Sequence, residues 1–307
     1  MAIPAILDCD PGTDDALALF LSLASPELDV RAVTVVGGNT ALESTLSNAL
    51  ALTALTGKTI PVHPGAPRPL LGSFTPKPDI HGTDGLGGIA LPPGGPPSNE
   101  CAPDAIRRIL RTAPEPVTLI GIGPVTNLAL ALMTEPALLP KVREIVLMTG
   151  AWAEGNITPS AEFNAWSDPE ALAIVLACGS PIVLATLELT AQALVTQERI
   201  AAWRALGSGR CLQTACDIQA AVPPSSRLGG SGAPLHDPCA VAWVLDPTFF
   251  TTRPCTATVE LGLGPSRGRT VIDRWGRTGA PPNAVLLETL NAERFFRLLG
   301  QRFARLP

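Results

Sequence analysis

The chain has 307 residues, 46% hydrophobic and only 16% charged, with a net charge of −5 and three lysines. That composition is too apolar for bulk disorder, and the length suffices for a large core built as one α/β domain over residues 1–307. It offers no basic stripe to track a phosphate backbone, so nucleic acid is excluded as a partner.

The first element is a buried strand at residues 3–7, followed by a Pro11-Gly12-Thr13 turn and an apolar helix from Ala16. A basic leader region is missing before Asp8, and no apolar run reaches membrane-spanning length, so a cytoplasmic protein without a membrane association is expected. A strand is expected at 29–36, ending in Gly37-Gly38-Asn39-Thr40, then a helix at 43–56 and a short strand at 60–62. Residues 64–100 are rich in Pro and Gly and read as a long irregular excursion carrying His81-Gly82-Thr83-Asp84. Alternation resumes with a helix at 103–111, a strand at 117–120, a helix at 125–133 and a strand at 141–148. Asp168-Pro169-Glu170 opens another helix, as a cap followed by proline at the first helical position. A strand at 181–185 and a helix at 196–206 follow, and the Gly/Ser/Pro-rich stretch 207–234 is expected to be mobile. An apolar helix at 239–245, a strand pair near 256–261 and 269–273, and a helix at 291–303 complete the chain. This order predicts a mostly parallel, Rossmann-like central sheet with helices on its faces. Seven cysteines, none in a CxxC pair, argue against a disulfide framework or a zinc site; most read as small buried hydrophobes in a reducing compartment.

The most informative segment is Asp8-Cys9-Asp10-Pro11-Gly12-Thr13-Asp14-Asp15, four carboxylates within eight residues at the carboxyl end of a strand. Taken singly, Asp14 or Asp15 is an ordinary first-turn residue that complements the helix dipole. Capping does not account for Asp10 as well. Crowded, partly buried carboxylates require protons or a cation, and a hard divalent ion with oxygen ligands suits them; the residues themselves do not separate Ca²⁺ from Mg²⁺.

Other polar motifs stand at further strand ends: Gly38-Asn39-Thr40, Gly123-Pro124-Val125-Thr126-Asn127-Leu128, Gly155-Asn156 with Ala161-Glu162-Phe163-Asn164, and Leu235-His236-Asp237-Pro238. Together with Asp-x-Asp-Pro-Gly-x-Asp-Asp, and in this order, they resemble the nucleoside hydrolase family, inosine-uridine preferring or pyrimidine-specific, over essentially the whole chain. The resemblance implies hydrolysis of the N-glycosidic bond of small-molecule ribonucleosides to ribose and free base, with a tightly held Ca²⁺. By that pattern Asp10, Asp15 and Asp237 supply carboxylate oxygens to the ion and Ile122 its backbone carbonyl. Asp10 also takes the proton of the attacking water. Asp14 and Asn39 fall where relatives contact the ribose or the water, and Asn156, Glu162 and Asn164 where they grip the sugar. His236, beside Asp237, is the leading candidate for leaving-group acid and His81 the second; both histidines occur in pyrimidine-inclined relatives, whereas His63 reads as structural. The family also implies a homodimer or homotetramer.

One departure is the complete lack of tyrosine, which many relatives place over the base. Arg227, Gln213 and Gln219 stand in that stretch instead, so base preference, broad or leaning to pyrimidines with a purine-preferring enzyme as the alternative, does not transfer. Trp152 and Trp166 flank the sugar segment and read as packing residues. Two other classes remain open: a catalytically silent nucleoside- or ribose-binding protein on the same scaffold, and a metal-dependent phosphohydrolase of the Asp-x-Asp type. The second fits poorly, since Lys58, Lys77 and Lys141 lie in unpromising contexts for holding phosphate.

Overall fold

The computed structural model describes residues 2–73 and 82–307. Its frame is a nine-stranded sheet in the order β10-β9-β11-β6-β5-β4-β1-β2-β3. The seven strands from β11 to β3 run parallel; they are β11 (Ala284–Leu290), β6 (Ile182–Ala185), β5 (Val142–Met148), β4 (Val117–Gly121), β1 (Ile3–Cys9), β2 (Leu28–Val35) and β3 (Val62–Pro64). β9 (Phe250–Val259) and β10 (Thr270–Asp273) close one edge antiparallel.

Chain order sets where a ligand can sit. From β1 the chain proceeds outward through β2 and β3, then returns to pair β4 on the other side of β1 and proceeds through β5 and β6. The order therefore reverses between β1 and β4, and the crevice outside the carboxyl ends of those two strands is the switch point at which open α/β sheets bind ligands. Asp10 follows β1 and Ile122 follows β4.

Helices cover both faces because the central strands are apolar on both sides. Leu7 and Cys9 of β1 join one core with α1 (Thr13–Ala24), α2 (Leu42–Leu55), α8 (Gln197–Arg204), α9 (Arg210–Ala221), α10 (Pro238–Leu245) and α11 (Ala292–Phe303). Ile6, of opposite parity, joins the second core with α3 (Ala102–Thr112), α4 (Thr126–Thr134) and α6 (Pro169–Leu176). Asp8 shares the parity of Ile6 and meets Asn127 of α4 at 2.9 Å. All seven cysteines are free, and five of them, Cys9, Cys211, Cys216, Cys239 and Cys255, are buried as the sequence suggests.

Four expectations change. Residues 207–234 are not uniformly loop, because Arg210–Ala221 is helical and buries Cys211, Leu212, Ala215, Cys216 and Ile218 against α1, α8 and α11. That spacing of apolar residues is helical, and the surrounding glycines, serines and prolines obscured it. β11 was not anticipated, although it joins the parallel sheet to the antiparallel edge. β9 starts at Phe250, six residues before the expected strand. Two short helices at the sheet's carboxyl edge, α5 (Phe163–Ser167) and α7 (Leu187–Thr190), also went unread. The excursion after β3 is irregular among its described residues, and His63 is structural as expected, buried on β3 with Nδ1 3.0 Å from the Glu100 carbonyl.

Candidate active site

Backbone geometry gathers the carboxylates. Asp15, in the first turn of α1, folds back to accept N–H bonds from Gly12 at 2.9 Å and Asp10 at 3.1 Å, so it does cap the helix while fixing the turn after β1. Asn39, after β2, ties the turn down: its backbone N–H donates to Asp10 Oδ2 at 2.7 Å, and its Nδ2 to the Asp10 carbonyl at 3.0 Å and Asp15 Oδ2 at 3.1 Å. Two glycines make room for Asp10. A Cβ at Gly38 would fall 2.0 Å from Asp10 Oδ2, and one at Gly123 would fall 2.4 Å from Oδ1. Asp237 arrives from the far end of the chain at the start of α10; Pro238 at the first helical position needs no cap, and the carboxylate caps nothing.

The result is a buried anionic cluster. Carboxylate oxygens of Asp14, Asp15 and Asp237 lie within 4.8 Å of one another, and those of Asp15 and Asp237 come within hydrogen-bonding reach. Burial, followed by the charge of Asp14, pushes Asp15 up to about 7 against the pull of the Gly12 and Asp10 amides. Burial and then Asp15 hold Asp10 well above the usual carboxylate range, and burial with Asp14, Asp15 and Asp10 does the same to Asp237. Asp10 Oδ1 is buried with no hydrogen-bond partner among the described residues. A buried orphan oxygen beside mutually repelling carboxylates, all hard donors, fits a hard divalent cation, which removes the repulsion and supplies the missing partner.

Above the cluster is a cavity of about 910 Å³, lined by Asp14, Asn39, Ile122, Asn164, His236 and Asp237 among others. Asn164, on α5, donates Nδ2 to the carbonyls of Ile122 and Met148, both at 3.0 Å, which leaves its Oδ1 the remaining acceptor. Glu162 is engaged more heavily than the sequence implies: it caps α5, accepting from the N–H groups of Asn164, Ala165 and Gly150 and from Thr149 Oγ1. Burial raises it above the usual range despite those donors. Asn156 accepts from Phe163 N–H at 2.9 Å. His236 Nδ1 lies 2.7 Å from Thr190 Oγ1.

The sequence of residues 5–297 matches the family model for inosine-uridine preferring nucleoside hydrolases. The chain belongs to that family. It is 42% identical over 308 residues to the pyrimidine-specific ribonucleoside hydrolase RihA of Citrobacter koseri, covering 99% of each chain, and 43% identical over 306 residues to that of Salmonella arizonae, covering 98% of each. Among solved structures, the purine-preferring ribonucleoside hydrolase from Gardnerella vaginalis superposes with a TM-score of 0.90 at 31% identity over 98% of both chains. By class this nucleoside hydrolase is an N-glycosidase.

The fold thus brings Asp10, Asp14, Asp15, Asn39, Ile122, Asn156, Glu162, Asn164, His236 and Asp237 to one edge of the hydrolase's sheet. His81 lies outside the described residues. Of the residues standing in for tyrosine, Gln219 and Arg227 line the cavity; Gln213 instead donates to the Gly207 carbonyl at 2.8 Å. Trp152 packs beneath the Arg274 guanidinium, 4.2 Å from its ring centre, and does not line the cavity. Sequence reasoning missed Thr190 and Glu188, both on α7, where Glu188 accepts the N–H groups of Trp152 and Ala153. The available signal was their position, just after β6 at the sheet edge that carries every other polar motif.

Proposed function

We propose that this chain hydrolyses the N-glycosidic bond of ribonucleosides, with a preference for pyrimidine bases, using a resident Ca²⁺. The observation that carries the reading is the convergence of Asp14, Asp237, Asn39, Asn164 and His236 on one cavity at the β1/β4 switch point, with Asp15 completing the buried carboxylate cluster. The pyrimidine preference is supported by relatives of 42% and 43% identity that bear that description, against 31% for the purine-preferring structure.

Asp10, Asp15, Asp237 and the Ile122 carbonyl would hold the cation, with Asp14 at its side. When bound, such an ion lowers the pKa of a water and binds the sugar's vicinal hydroxyls. The chain's own part follows from charge. Loss of the base builds positive charge on the ribose ring, and the anionic floor stabilises it. Asp10 accepts a proton from the attacking water as its oxygen bonds to C1′, the C1′–N bond breaks, and His236 returns a proton to the departing base. Asn39, Asn156, Glu162 and Asn164 orient the sugar, His81 being the second acid candidate.

A panel of purine and pyrimidine ribonucleosides assayed for free ribose tests the reading: uridine and cytidine should be cleaved fastest, and no release from any nucleoside would leave only a silent binding protein. We further read the protein as cytoplasmic and homo-oligomeric. Free cysteines support the first reading. Leu261, Leu263, Val271 and Trp275, exposed side chains near the β9–β10 edge, support the second, which light scattering tests. No helix among the described residues is long and apolar enough to cross a membrane.

A further inference from the structure

We propose that Thr190 is a positioning residue for His236, holding the ring by Nδ1 so that Nε2 is the nitrogen presented to the leaving base. This inference rests on the hydrolase reading above and adds a residue to it. Thr190 ends α7, the short helix that follows β6, and is completely buried. Its Oγ1 is 2.7 Å from His236 Nδ1 and 3.3 Å from the Leu187 carbonyl. A hydroxyl has one hydrogen and two lone pairs. With the hydrogen directed to Leu187 O, a lone pair of Oγ1 faces Nδ1–H.

The proton balance follows directly. When the C1′–N bond breaks, the base nitrogen takes the Nε2 proton, and His236 becomes neutral while keeping Nδ1–H on Thr190. No proton passes through the threonine. Its contribution is directional: an imidazole that turns about its Cβ–Cγ bond loses the alignment on which proton transfer depends, and a buried hydroxyl on a short, backbone-anchored helix restricts that rotation. α7 is anchored at its start by Leu187 N–H on the Gly150 carbonyl at 3.0 Å, and the turn that follows it by Leu235 N–H on the Ala193 carbonyl at 2.9 Å. Thr186 supplies an internal control, being equally buried at the other end of the same turn, with a hydroxyl that has no hydrogen-bond partner among the described residues.

The test compares Thr190→Val, Thr190→Ser, Thr190→Ala and Thr186→Val on uridine and on p-nitrophenyl riboside, whose phenolate departs without protonation. Thr190→Val should lower kcat on uridine by about tenfold or more with KM changed little, while the p-nitrophenyl substrate loses less than about threefold. Thr190→Ser should restore most of the uridine rate, and Thr186→Val should match wild type. If valine does not fold, the Ser/Ala pair decides, since both lose the methyl group and differ only in the oxygen. Equal losses on the two substrates, or serine and alanine behaving alike on uridine, would overturn the assignment. Failure of the wild-type protein to release ribose from any nucleoside would instead remove the hydrolase reading itself.

Discussion

The floor of the cavity and its cover are built by different physics. The floor hangs from the ends of β1, β2, β4 and β5, where almost every polar atom has a buried partner: Asn39 clamps Asp10 and Asp15, Asn164 clamps Ile122 and Met148, and Glu162 takes four donors. The cover comes from residues 153–157 and 222–228, tied by Arg227 to Glu154 at 3.0 Å and to the Gly155 carbonyl at 2.8 Å, with the ion pair largely exposed. A dense, buried hydrogen-bond network holds its side chains in fixed positions, whereas one exposed ion pair contributes little and opens readily. On the proposed reading the floor therefore serves sugar and cation chemistry, and the cover, Asn156 apart, serves entry, exit and choice of base.

The largest expected effect comes from breaking the floor at its centre. Asp10→Ala removes the buried orphan oxygen and, on the proposed mechanism, the acceptor of the water's proton, and should lower kcat by at least about a thousandfold while the circular dichroism spectrum stays native. Retention of a tenth of the activity would show that the floor is not the reacting centre. Next, 2′-deoxyuridine should fall below uridine in kcat/KM by roughly a hundredfold, since a buried polar site built for a hydroxyl loses a partner when the hydroxyl is missing. Stripping the cation with a strong chelator should abolish that discrimination along with turnover, and the loss should be reversed by Ca²⁺.

The same contrast explains what could be read from the sequence. Asp10, Asp15, Asn39, Asn164 and Asp237 were legible because a parallel sheet brings the ends of its strands to one edge, so strand-end polar motifs converge however far apart they lie in the chain. Which side-chain atom meets which was not legible. The family pattern places Glu162 at the sugar, but its additional role as the cap of α5 depends on a five-residue helix too short to announce itself by periodicity. Thr190 was invisible for a related reason: nothing in Leu-Glu-Leu-Thr specifies a partner 46 residues away. Helix α9 carries a helical pattern, yet the composition of the flanking glycines, serines and prolines dominates the expectation of a mobile stretch over 207–234.

A smaller effect should appear in the pH dependence of stability beneath the floor. Asp8 accepts from Thr34 Oγ1 at 2.5 Å and Asn127 Nδ2 at 2.9 Å, but burial outweighs those bonds and raises it from 3.8 to about 7. The group is above its unfolded value, so its protonated form contributes stability that is complete below about pH 4 and is lost as pH rises through about 7. Asp8→Asn stays neutral throughout. The difference in Tm between Asp8→Asn and wild type should therefore grow in favour of the variant from pH 5 to pH 8, by a few degrees, measured with Ca²⁺ present at every pH. A difference independent of pH would mean that Asp8 does not titrate in that window.

The smallest effect is expected from the cover, and its smallness is informative. Arg227→Ala removes an ion pair and a carbonyl contact that join residues 222–228 to residues 154–155. Both charged groups are more than half exposed, so the change in stability should stay within about 0.5 kcal/mol. Catalytic geometry lies below, in a network Arg227 does not touch, so the rate of bond cleavage in a single turnover should be unchanged. Binding should weaken, with KM rising a few-fold, while kcat holds steady or rises where product release limits turnover. A single-turnover rate that fell together with kcat/KM would show that the cover also orders the floor, and the division between the two regions would then be wrong.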